Sequence, residues 1–440
     1  MNTASLPRFR VVSRPLSRVP DLVRLADSEN PLLWVRKQRG FVGLGVAYRL
    51  DTHGGERFAD ASRTWATLQE NAIVDDPIAG PATGLIALGT FSFASNSQTP
   101  STLIVPRIVV GKKDGEAWIT YVGDDSADPH PAAASLASAD VFDVAQLDDF
   151  LALAGVKGTV PETSTWQPLQ WQTPEGETEA YRAGVAEAGR RLDAAAIEKV
   201  VLARRLQAPL AEGADLRVPL GRLAHRYLDC WTFAVDGMIG ASPETLIRSI
   251  HAKVSARVLA GTRRRDENEA RDEELSRELV ASEKEQLEHR FAIESLVETL
   301  SPHVTDLQHD AEPSLLQLPN VWHLATRVTA QLADGADAFE LAEAVHPTAA
   351  VAGTPTPLAM DTIDELEPFD RGRYAGAVGW VGAGGNGDWA IALRSAQVDH
   401  SHSPATITAF AGGGLVVGAD PEHELSETVA KFRPLMEACS

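Results

Sequence analysis

The N-terminal part of the chain carries the apolar pattern of β-strands. Segments such as Phe41–Ala47 and Thr102–Val105 alternate between apolar and polar residues or run apolar, and Gly, Pro and Asp separate them. Short apolar runs bounded by turn-forming residues are typical of strands. The pattern therefore predicts a β-rich region over residues 1–122.

Two later stretches show little apolar periodicity. Residues 123–138 are predicted to form a loop, and residues 157–178 are rich in Pro, Thr and Gly. Such a composition is typical of connections between domains. We therefore expect two parts, an N-terminal β-rich lobe over residues 1–160 and a second region over residues 175–435.

The second region begins with a helix followed by a buried strand. A helical pattern runs over residues 179–196, and the apolar run Lys199–Ala203 predicts the strand. Four short strand candidates follow within residues 230–259, with tight turns at Asp236-Gly237 and Ser242-Pro243. This spacing predicts an antiparallel meander.

The apolar period changes to that of a helix over residues 266–300, among dense Glu, Arg and Lys, which predicts a long amphipathic helix or a helix pair. Further on, Gly376–Gly387 predicts a strand and its hairpin, with Ile391–Val398 as the partner strand. The last helix is predicted over Pro421–Glu437, with Asp420 as its N-cap.

Composition and charge exclude several classes of protein. The 440 residues include 61 acidic and 40 basic side chains, which gives a net charge of −21. This charge argues against nucleic acid or an anionic membrane as partner, because both attract basic surfaces. Cys230 and Cys439 are too few and too far apart for a disulfide scaffold or a zinc ribbon. No run approaches the roughly 18 apolar residues of a membrane span, and the N-terminus lacks the apolar segment of a secretory signal. We expect a soluble, cytoplasmic protein.

Four carboxylates stand in two pairs with helical spacing. They are Glu285 and Glu288 in SEKEQLEH, and Glu424 and Glu427 in PEHELSET. Each pair lies on one helix face, and such a pair alone is usually a solvated face. The neighbouring Leu287 and Phe291 would place one acid of the first pair near an apolar boundary. If the two pairs face each other, they form an all-oxygen site suited to Mg²⁺ and an anionic substrate.

Four other charged residues each have two possible interpretations, one structural and one chemical. Lys199 is either a strand-end lysine with its charge in solvent or a desolvated general base. Glu244, which follows a turn, is either solvated or a general acid in an apolar pocket. Arg394, in the apolar run AIALRSA, needs an anionic partner, which is either a protein carboxylate or a substrate carboxylate. Lys431 either pairs with Glu427, one helical turn before it, or reaches a ligand.

Taken in chain order, eight motifs resemble those of the chorismate-utilising enzymes, and within them the isochorismate synthases. The motifs are EKVVLARR (198–205), GASPETL (240–246), LAGTRRR (259–265), SEKEQLEHR (282–290), HPTAAVAGTP (346–355), RYAGAVGW (373–380), ALRSA (392–396) and AGGGLV…ELSET (411–428). The resemblance covers roughly residues 175–435 and is weaker over the N-terminal lobe. It implies an α+β fold, in which large antiparallel β-sheets form a sandwich-like core, helices pack outside and the active site lies in a cleft.

The resemblance also implies roles for individual residues. Lys199 matches the general base that activates water for attack at C2 of chorismate, and Glu244 matches the general acid that protonates the departing C4 hydroxyl. The matching metal residues are Glu288 and Glu424 as Mg²⁺ ligands and Glu285 and Glu427 as acids that hold metal-bound water. The matching substrate-binding residues are Gly261, Thr262, His323, Tyr374, Arg394, Gly412 and Lys431.

The same residues separate relatives within this family. Aminodeoxychorismate synthases that use a nucleophilic lysine carry it where this chain has Ala260. Anthranilate synthases have a non-basic residue in place of Lys199 and use a glutaminase partner, which nothing in this chain resembles. Salicylate synthases share Lys199, Glu244 and the metal acids, so they remain an alternative. A catalytically silent chorismate-binding relative is another.

The prediction is therefore an Mg²⁺-dependent isochorismate synthase that acts on chorismate. The resemblance implies a monomer without a glutaminase subunit, and it leaves both menaquinone and catechol-siderophore synthesis open as the pathway. Two departures from the commonest motifs, AGGGLV in place of GAGIV and Ala349-Ala350 in place of Pro-Ala, exchange small residues for small ones.

Overall fold

The computed structural model describes most of the chain with its side chains. The described residues are 6–37, 39–125, 130–156, 166–317, 321–333, 336–401 and 403–440, and Glu288 is described by its backbone alone. This part of the chain forms twenty β-strands and eleven α-helices.

The N-terminal part contributes seven strands and four helices. The strands are β1 (Phe9–Pro15), β2 (Leu32–Arg36), β3 (Arg39–Thr52), β4 (Ile73–Asp75), β5 (Ala87–Thr90), β6 (Ser101–Lys113) and β7 (Glu116–Asp124). The helices are α1 (Leu22–Leu25), α2 (Arg57–Asn71), α3 (Pro131–Ala137) and α4 (Leu147–Leu153).

The remaining thirteen strands and seven helices follow. The strands are β8 (Lys199–Leu210), β9 (Trp231–Val235), β10 (Met238–Ser242), β11 (Thr245–Ile250), β12 (Lys253–Arg264), β13 (Val304–His309), β14 (Ser314–Gln317), β15 (Val321–Leu332), β16 (Gly353–Thr354), β17 (Ala377–Val381), β18 (Gly387–Ile391), β19 (Ser395–Asp399) and β20 (Ala405–Leu415). The helices are α5 (Glu177–Asp193), α6 (Arg217–Arg226), α7 (Glu269–Ala281), α8 (Glu283–Leu300), α9 (Ala338–Val345), α10 (Thr356–Leu366) and α11 (Pro421–Ala438).

The strands connect through hydrogen bonds into one large sheet, in which central strands such as β2 are buried on both faces. Among the described strands, β1 and β4 alone pair in parallel, and the other pairs are antiparallel. Side chains alternate between the two faces of a strand. Leu32 and Trp34 of β2 accordingly lie in one apolar core, and Leu33 and Val35 lie in the other. Burial on both faces explains why β2 is apolar from Leu32 to Val35.

Strands from both sides of the predicted domain boundary pair with each other. Leu33 of β2 lies opposite Ala234 of β9, and Gly89 of β5 lies opposite Gly379 of β17. Part of the predicted boundary, residues 157–165, lies outside the described residues. The division into residues 1–160 and 175–435 stays a prediction.

Several predicted elements are confirmed. The helix predicted over 179–196 is α5, residues 266–300 form the helix pair α7 and α8, and the predicted final helix is α11. The side chain of Asp420 caps α11 by accepting a hydrogen bond from the backbone N–H of His423. The four strands predicted between residues 230 and 259 are β9 to β12.

The predicted meander of those four strands is wrong. β9 pairs with β10, and β11 pairs with β12. β10 and β11 do not pair with each other, because the second partner of β10 is β19 and that of β11 is β18. Only Pro243 and Glu244 separate β10 from β11, and the Glu244 carbonyl accepts a hydrogen bond from the Ile391 N–H. The chain therefore changes strand partner at this point instead of forming a hairpin.

The predicted partner of the 376–387 strand is also wrong. β17 pairs with β18, which ends at Ile391, and β19 begins only at Ser395. Arg394 lies in the break, with φ of 50° in the left-handed region. An apolar run gives no sign of such a break, because it is a backbone feature.

Seven of the described α-helices were not predicted from the sequence, among them α2 and α3. α3 occupies part of the predicted loop 123–138, because its alanine-rich sequence favours a helix and the His130 ring accepts a hydrogen bond from the Ala132 N–H. Residues 126–129 of that loop lie outside the described part. α2 lies inside the β-rich region, and it buries Phe58, Trp65 and Leu68 along one face.

Candidate active site

A cleft of about 1010 Å³ brings most of the predicted site residues together. Eleven of the thirteen line it: Lys199, Glu244, Gly261, Thr262, Glu285, His323, Tyr374, Arg394, Gly412, Glu427 and Lys431. Glu424 lies behind this lining, against Gly413. The side chain of Glu288 lies outside the described part of the chain.

Lys199 enters the cleft at the start of β8. Its backbone lies opposite Thr354 of β16, and its side chain runs over Gly414 of the neighbouring strand β20. A Cβ atom at position 414 would lie 3.1 Å from Cε of Lys199. The glycine therefore leaves room for the lysine side chain to cross the strand.

Glu244 is fixed by the turn that carries it. The Ser242 hydroxyl donates to the Ile391 carbonyl at 2.6 Å, and the Glu244 N–H donates to the Ser242 hydroxyl at 3.2 Å. Burial raises the pKa of the Glu244 carboxyl to about 7, and the charges of Lys199 and Arg394 oppose that increase. Near neutral pH this carboxyl is therefore divided between an acid that can donate a proton and its conjugate base.

Arg394 projects from the break between β18 and β19 into the cleft. Its guanidinium forms no hydrogen bond or ion pair with any described residue, and burial lowers its pKa. A desolvated cation without a counter-ion is costly. Of the two partners that the sequence left open, this arrangement favours an anionic ligand over a protein carboxylate.

Tyr374 and Lys431 meet at the backbone of Gly412. Lys431 Nζ donates to the Gly412 carbonyl at 2.8 Å and lies 3.4 Å from Glu427, and burial lowers the pKa of its ammonium. Burial raises the pKa of Tyr374 to about 12, although a backbone hydrogen bond from Gly412 works against it. The Tyr374 ring stacks on Phe410, with 5.1 Å between ring centroids. These contacts hold a cation and a phenol side by side.

A β-bulge in β12 forms the opposite wall. Gly261 lies at the bulge with φ of 79°, a conformation that favours glycine. Beyond it, the Thr262 hydroxyl is hydrogen-bonded to Nδ1 of His323 at 2.9 Å, and the Thr262 N–H donates to Oε2 of Glu285 at 3.2 Å. Burial lowers the pKa of His323 to about 4, so this ring is neutral near pH 7.

The acids of the proposed metal site are only partly described. Oε2 of Glu424 is buried without a hydrogen-bond partner among the described residues, and burial and the charge of Glu427 raise the pKa of this carboxyl. Among the described side chains, no three acids, histidines or cysteines are close enough together to hold a metal ion. The apolar boundary expected beside Glu285 is wrong, because Leu287 and Phe291 are 47% and 55% exposed.

Sequence reasoning missed several residues that shape the cleft. Arg371 and Glu367 form a buried ion pair at 2.6 Å, and Arg371 also donates to the carbonyls of Val201 and Val351. His289 is hydrogen-bonded to Thr326 and to the Ala260 carbonyl, which fixes α8 against β12. The sequence offered a signal for His289, since it follows Glu285 by one helical turn and therefore lies on the same face of α8. For Arg371 the signal was its place three residues before Tyr374.

The charge of the cleft is opposite to that of the chain. Among the described residues that line it, ten are Lys or Arg and six are Asp or Glu, whereas the whole chain has a net charge of −21. Arg263, Arg264 and Lys284 are part of the basic lining. A cleft of one sign attracts a ligand of the other, so this site suits an anion.

The chain belongs to the family described as chorismate binding enzymes, since the sequence model of that family matches residues 15–440. The chain is 34% identical to the isochorismate synthase DhbC of Bacillus subtilis over 306 residues, which are 63% of this chain and 76% of the relative. It is 31% identical to the salicylate biosynthesis isochorismate synthase of Pseudomonas aeruginosa over 428 residues, which are 94% of this chain and 86% of the relative.

The fold is shared with a solved structure. The menaquinone-specific isochorismate synthase MenF of Escherichia coli superposes with a TM-score of 0.79 at 23% identity, over 99% of this chain and 95% of that one. This match confirms the predicted α+β fold with a large antiparallel sheet. Among the described residues, no helix is long and apolar enough to cross a membrane.

Proposed function

We propose that the protein is an isochorismate synthase, which adds water at C2 of chorismate and releases the C4 hydroxyl. The observation that carries this proposal is the pairing of Lys199 with Glu244 in one cleft, where the carboxyl has a pKa of about 7. A hydroxide is a poor leaving group, so the departing oxygen needs a proton donor, and the attacking water needs a proton acceptor.

Each proton and bond has a place in this reaction. Lys199 accepts a proton from water as the oxygen forms its bond to C2. The ring double bonds shift, the C4–O bond breaks with its electron pair on oxygen, and Glu244 donates a proton so that water leaves. The product has the same atomic composition as chorismate, because the water added at C2 balances the water lost from C4. The reaction is therefore an isomerisation.

Substrate binding follows from the charge of the cleft. Chorismate carries two carboxylates, and Arg394 is a cation with no counter-ion among the described residues. We assign one substrate carboxylate to Arg394 and Tyr374, with Lys431 beside them. Gly261, Thr262, Gly412 and the neutral His323 line the same cleft and offer backbone, hydroxyl and imidazole groups.

The acids on α8 and α11 suit Mg²⁺ by their chemistry. Carboxylates and water are the ligands that this ion prefers, and the unpartnered Oε2 of Glu424 together with the repulsion from Glu427 fits a site that takes a cation. We propose Glu288 and Glu424 as ligands and Glu285 and Glu427 as residues that hold water on the metal. When bound, the metal supplies positive charge that holds the ring carboxylate and orients the ring.

The remaining features of the proposal follow from the nucleophile. Water needs no ammonia supply, so the proposal includes no glutaminase subunit, and it keeps the monomer that the family resemblance implies. Isochorismate formed here would enter menaquinone or catechol-siderophore synthesis.

The test is to incubate chorismate with the purified protein, with and without Mg²⁺, and to separate the products by chromatography. Isochorismate formed only with Mg²⁺ is the expected result. Salicylate and pyruvate would instead establish a salicylate synthase. Binding of chorismate without any product would contradict both and indicate a silent relative. The matched control is Lys113→Ala, which removes an exposed lysine at the end of β6 that does not line the cleft.

A further inference from the structure

Tyr181 of α5 is a buried tyrosine that faces the proposed metal site from behind. Its side chain is 4% exposed, and its hydroxyl has no hydrogen-bond partner among the described residues. The same holds for Oε2 of Glu424, a residue 8% exposed at the first turn of α11. Buried polar groups are normally hydrogen-bonded. One donor and one acceptor are therefore left over in the same region.

Gly413 lies next to both of these atoms. A Cβ atom at position 413 would lie 2.8 Å from Oε2 of Glu424 and 3.5 Å from the Tyr181 hydroxyl. Both atoms thus border the small space that the missing side chain of Gly413 leaves. The backbone of Gly413 has no positive φ, so this glycine is needed for the space and not for an unusual conformation.

Glu424 is the neighbouring carboxylate with the largest effect on the pKa of Tyr181. Burial raises the pKa of Tyr181, and the charge of Glu424 is the next largest cause, ahead of every other neighbour. Arg204 acts in the opposite direction. Glu177 also has an unpartnered buried oxygen, but its charge is not among the causes of the Tyr181 shift.

The helix that carries Glu424 is anchored beside this space. Nε of Arg204, on β8, donates to the Thr428 hydroxyl at 2.7 Å, and the guanidinium lies 4.9 Å from the ring centroid of Phe432. Thr428 and Phe432 follow Glu424 at one and two turns along α11. The backbone of Glu424 is therefore held, and only its carboxylate remains to be oriented.

We propose that Tyr181 is a positioning residue for Glu424. Its hydroxyl would donate a hydrogen bond to Oε2 when that carboxylate serves as a metal ligand, and so fix the orientation of the carboxylate. Outer groups that orient a ligand in this way commonly change metal affinity about 10- to 100-fold. The inference rests on the proposed function, because it takes Glu424 as a ligand of Mg²⁺.

The experiment compares Mg²⁺ binding by the wild type, Tyr181→Phe and Tyr121→Phe, measured by calorimetry without chorismate. Tyr121→Phe is the matched control, since it removes the hydroxyl of another buried tyrosine in the second apolar core. We expect Tyr181→Phe to bind Mg²⁺ about 10-fold more weakly, and Tyr121→Phe to match the wild type. At saturating Mg²⁺ the kcat of Tyr181→Phe should return to within about twofold of the wild type. Unchanged Mg²⁺ affinity in Tyr181→Phe would overturn the inference, as would an activity loss that Mg²⁺ does not restore.

A second comparison tests whether Tyr181 acts through Glu424. In a Glu424→Gln background, Tyr181→Phe should have no further effect on Mg²⁺ affinity, because residues that act together are not additive. Full additivity of the two substitutions would contradict the proposal.

Gly413→Ala places a methyl group against Oε2 of Glu424. This variant should therefore also bind Mg²⁺ more weakly than the wild type, and unchanged binding would contradict the proposal.

The two proposals fail in different ways. If the wild type binds Mg²⁺ but forms no isochorismate, the proposed function is wrong and the comparison of binding constants still decides the role of Tyr181. A wild type that does not bind Mg²⁺ would remove the basis of the Tyr181 proposal.

Discussion

The charge of Lys199, at the start of β8, acts on the carboxyl of Glu244, in the turn between β10 and β11. Lys199 lowers the pKa of Glu244, but burial outweighs it and brings the value to about 7. β8 pairs with β16 and β20 and not with β10 or β11. The fold itself therefore brings the two residues together in the cleft. In the proposed reaction, this relationship places the proton acceptor and the proton donor in the same cleft.

Lys199→Ala should abolish turnover and retain chorismate binding. Removing a general base commonly costs about 100- to 10,000-fold in rate, whereas Arg394 and Lys431 remain in place to hold the substrate. Product formation by chromatography and chorismate affinity by calorimetry provide the two measurements. Turnover near the wild-type rate would remove the general-base assignment.

Activity should fall as pH rises through about 7. In the proposed reaction the acid form of Glu244 is the proton donor, and with a pKa of about 7 this form is lost on the alkaline side. Because kcat/KM reports groups of the free enzyme, its pH profile should show a limb at that value. In Glu244→Gln the residual activity should lose this limb, and a limb that persists would have to belong to another group.

The same raised pKa predicts a gain in stability for Glu244→Gln at alkaline pH. The folded protein retains the Glu244 proton up to about pH 7, whereas the unfolded chain releases it near the ordinary value of 4.5. Stability is therefore lost as pH rises between these values. The Tm of the variant should exceed that of the wild type at pH 8 by more than at pH 5. An equal difference at both pH values would contradict this reasoning.

Arg394→Met should weaken chorismate binding without destabilising the fold. Hydrogen bonds to charged groups contribute about 1.5–3 kcal/mol, which corresponds to a KM raised roughly 10- to 100-fold, and the free protein loses only an unpaired cation. Arg371→Met is the contrasting variant, because it leaves Glu367 buried alone and should lower the Tm clearly. A fall in Tm for Arg394→Met with KM unchanged would make Arg394 structural.

Glu288→Gln should raise the Mg²⁺ concentration needed for half-maximal isochorismate formation by about 10-fold or more, because losing a carboxylate weakens a hard cation site. The measurement is initial rate against Mg²⁺ concentration. Glu283→Gln, at the exposed start of the same helix, is the control and should leave that concentration unchanged. An unchanged requirement in Glu288→Gln would exclude this residue as a ligand.

Much of the site could be predicted because its chemistry lies in short motifs. The motifs around Lys199, Glu244 and Arg394 each resemble the family in sequence, and the structure brings all three to one cleft. The route of the chain between these motifs could not be predicted, since pairing between distant strands depends on the whole sheet. The exchange of partners at Pro243 and Glu244 is an example.

Features that depend on backbone conformation or on exposure were also beyond the sequence. The break at Arg394 was hidden in an apolar run, because a positive φ leaves no mark when the residue is not glycine. Leu287 and Phe291 have the spacing of a buried helix face, but nothing described packs over them and they are exposed. Periodicity shows which residues share a face, and it does not show what covers that face.

The alternation of side chains along β2 has a consequence for how the protein unfolds. Leu32 and Trp34 support one core and Leu33 and Val35 the other, so the same five-residue backbone belongs to both. Because both cores depend on the same strand, loss of packing in one core should also disrupt the other. A chain of this length would often unfold domain by domain, but strands shared by both cores predict that the two cores unfold together.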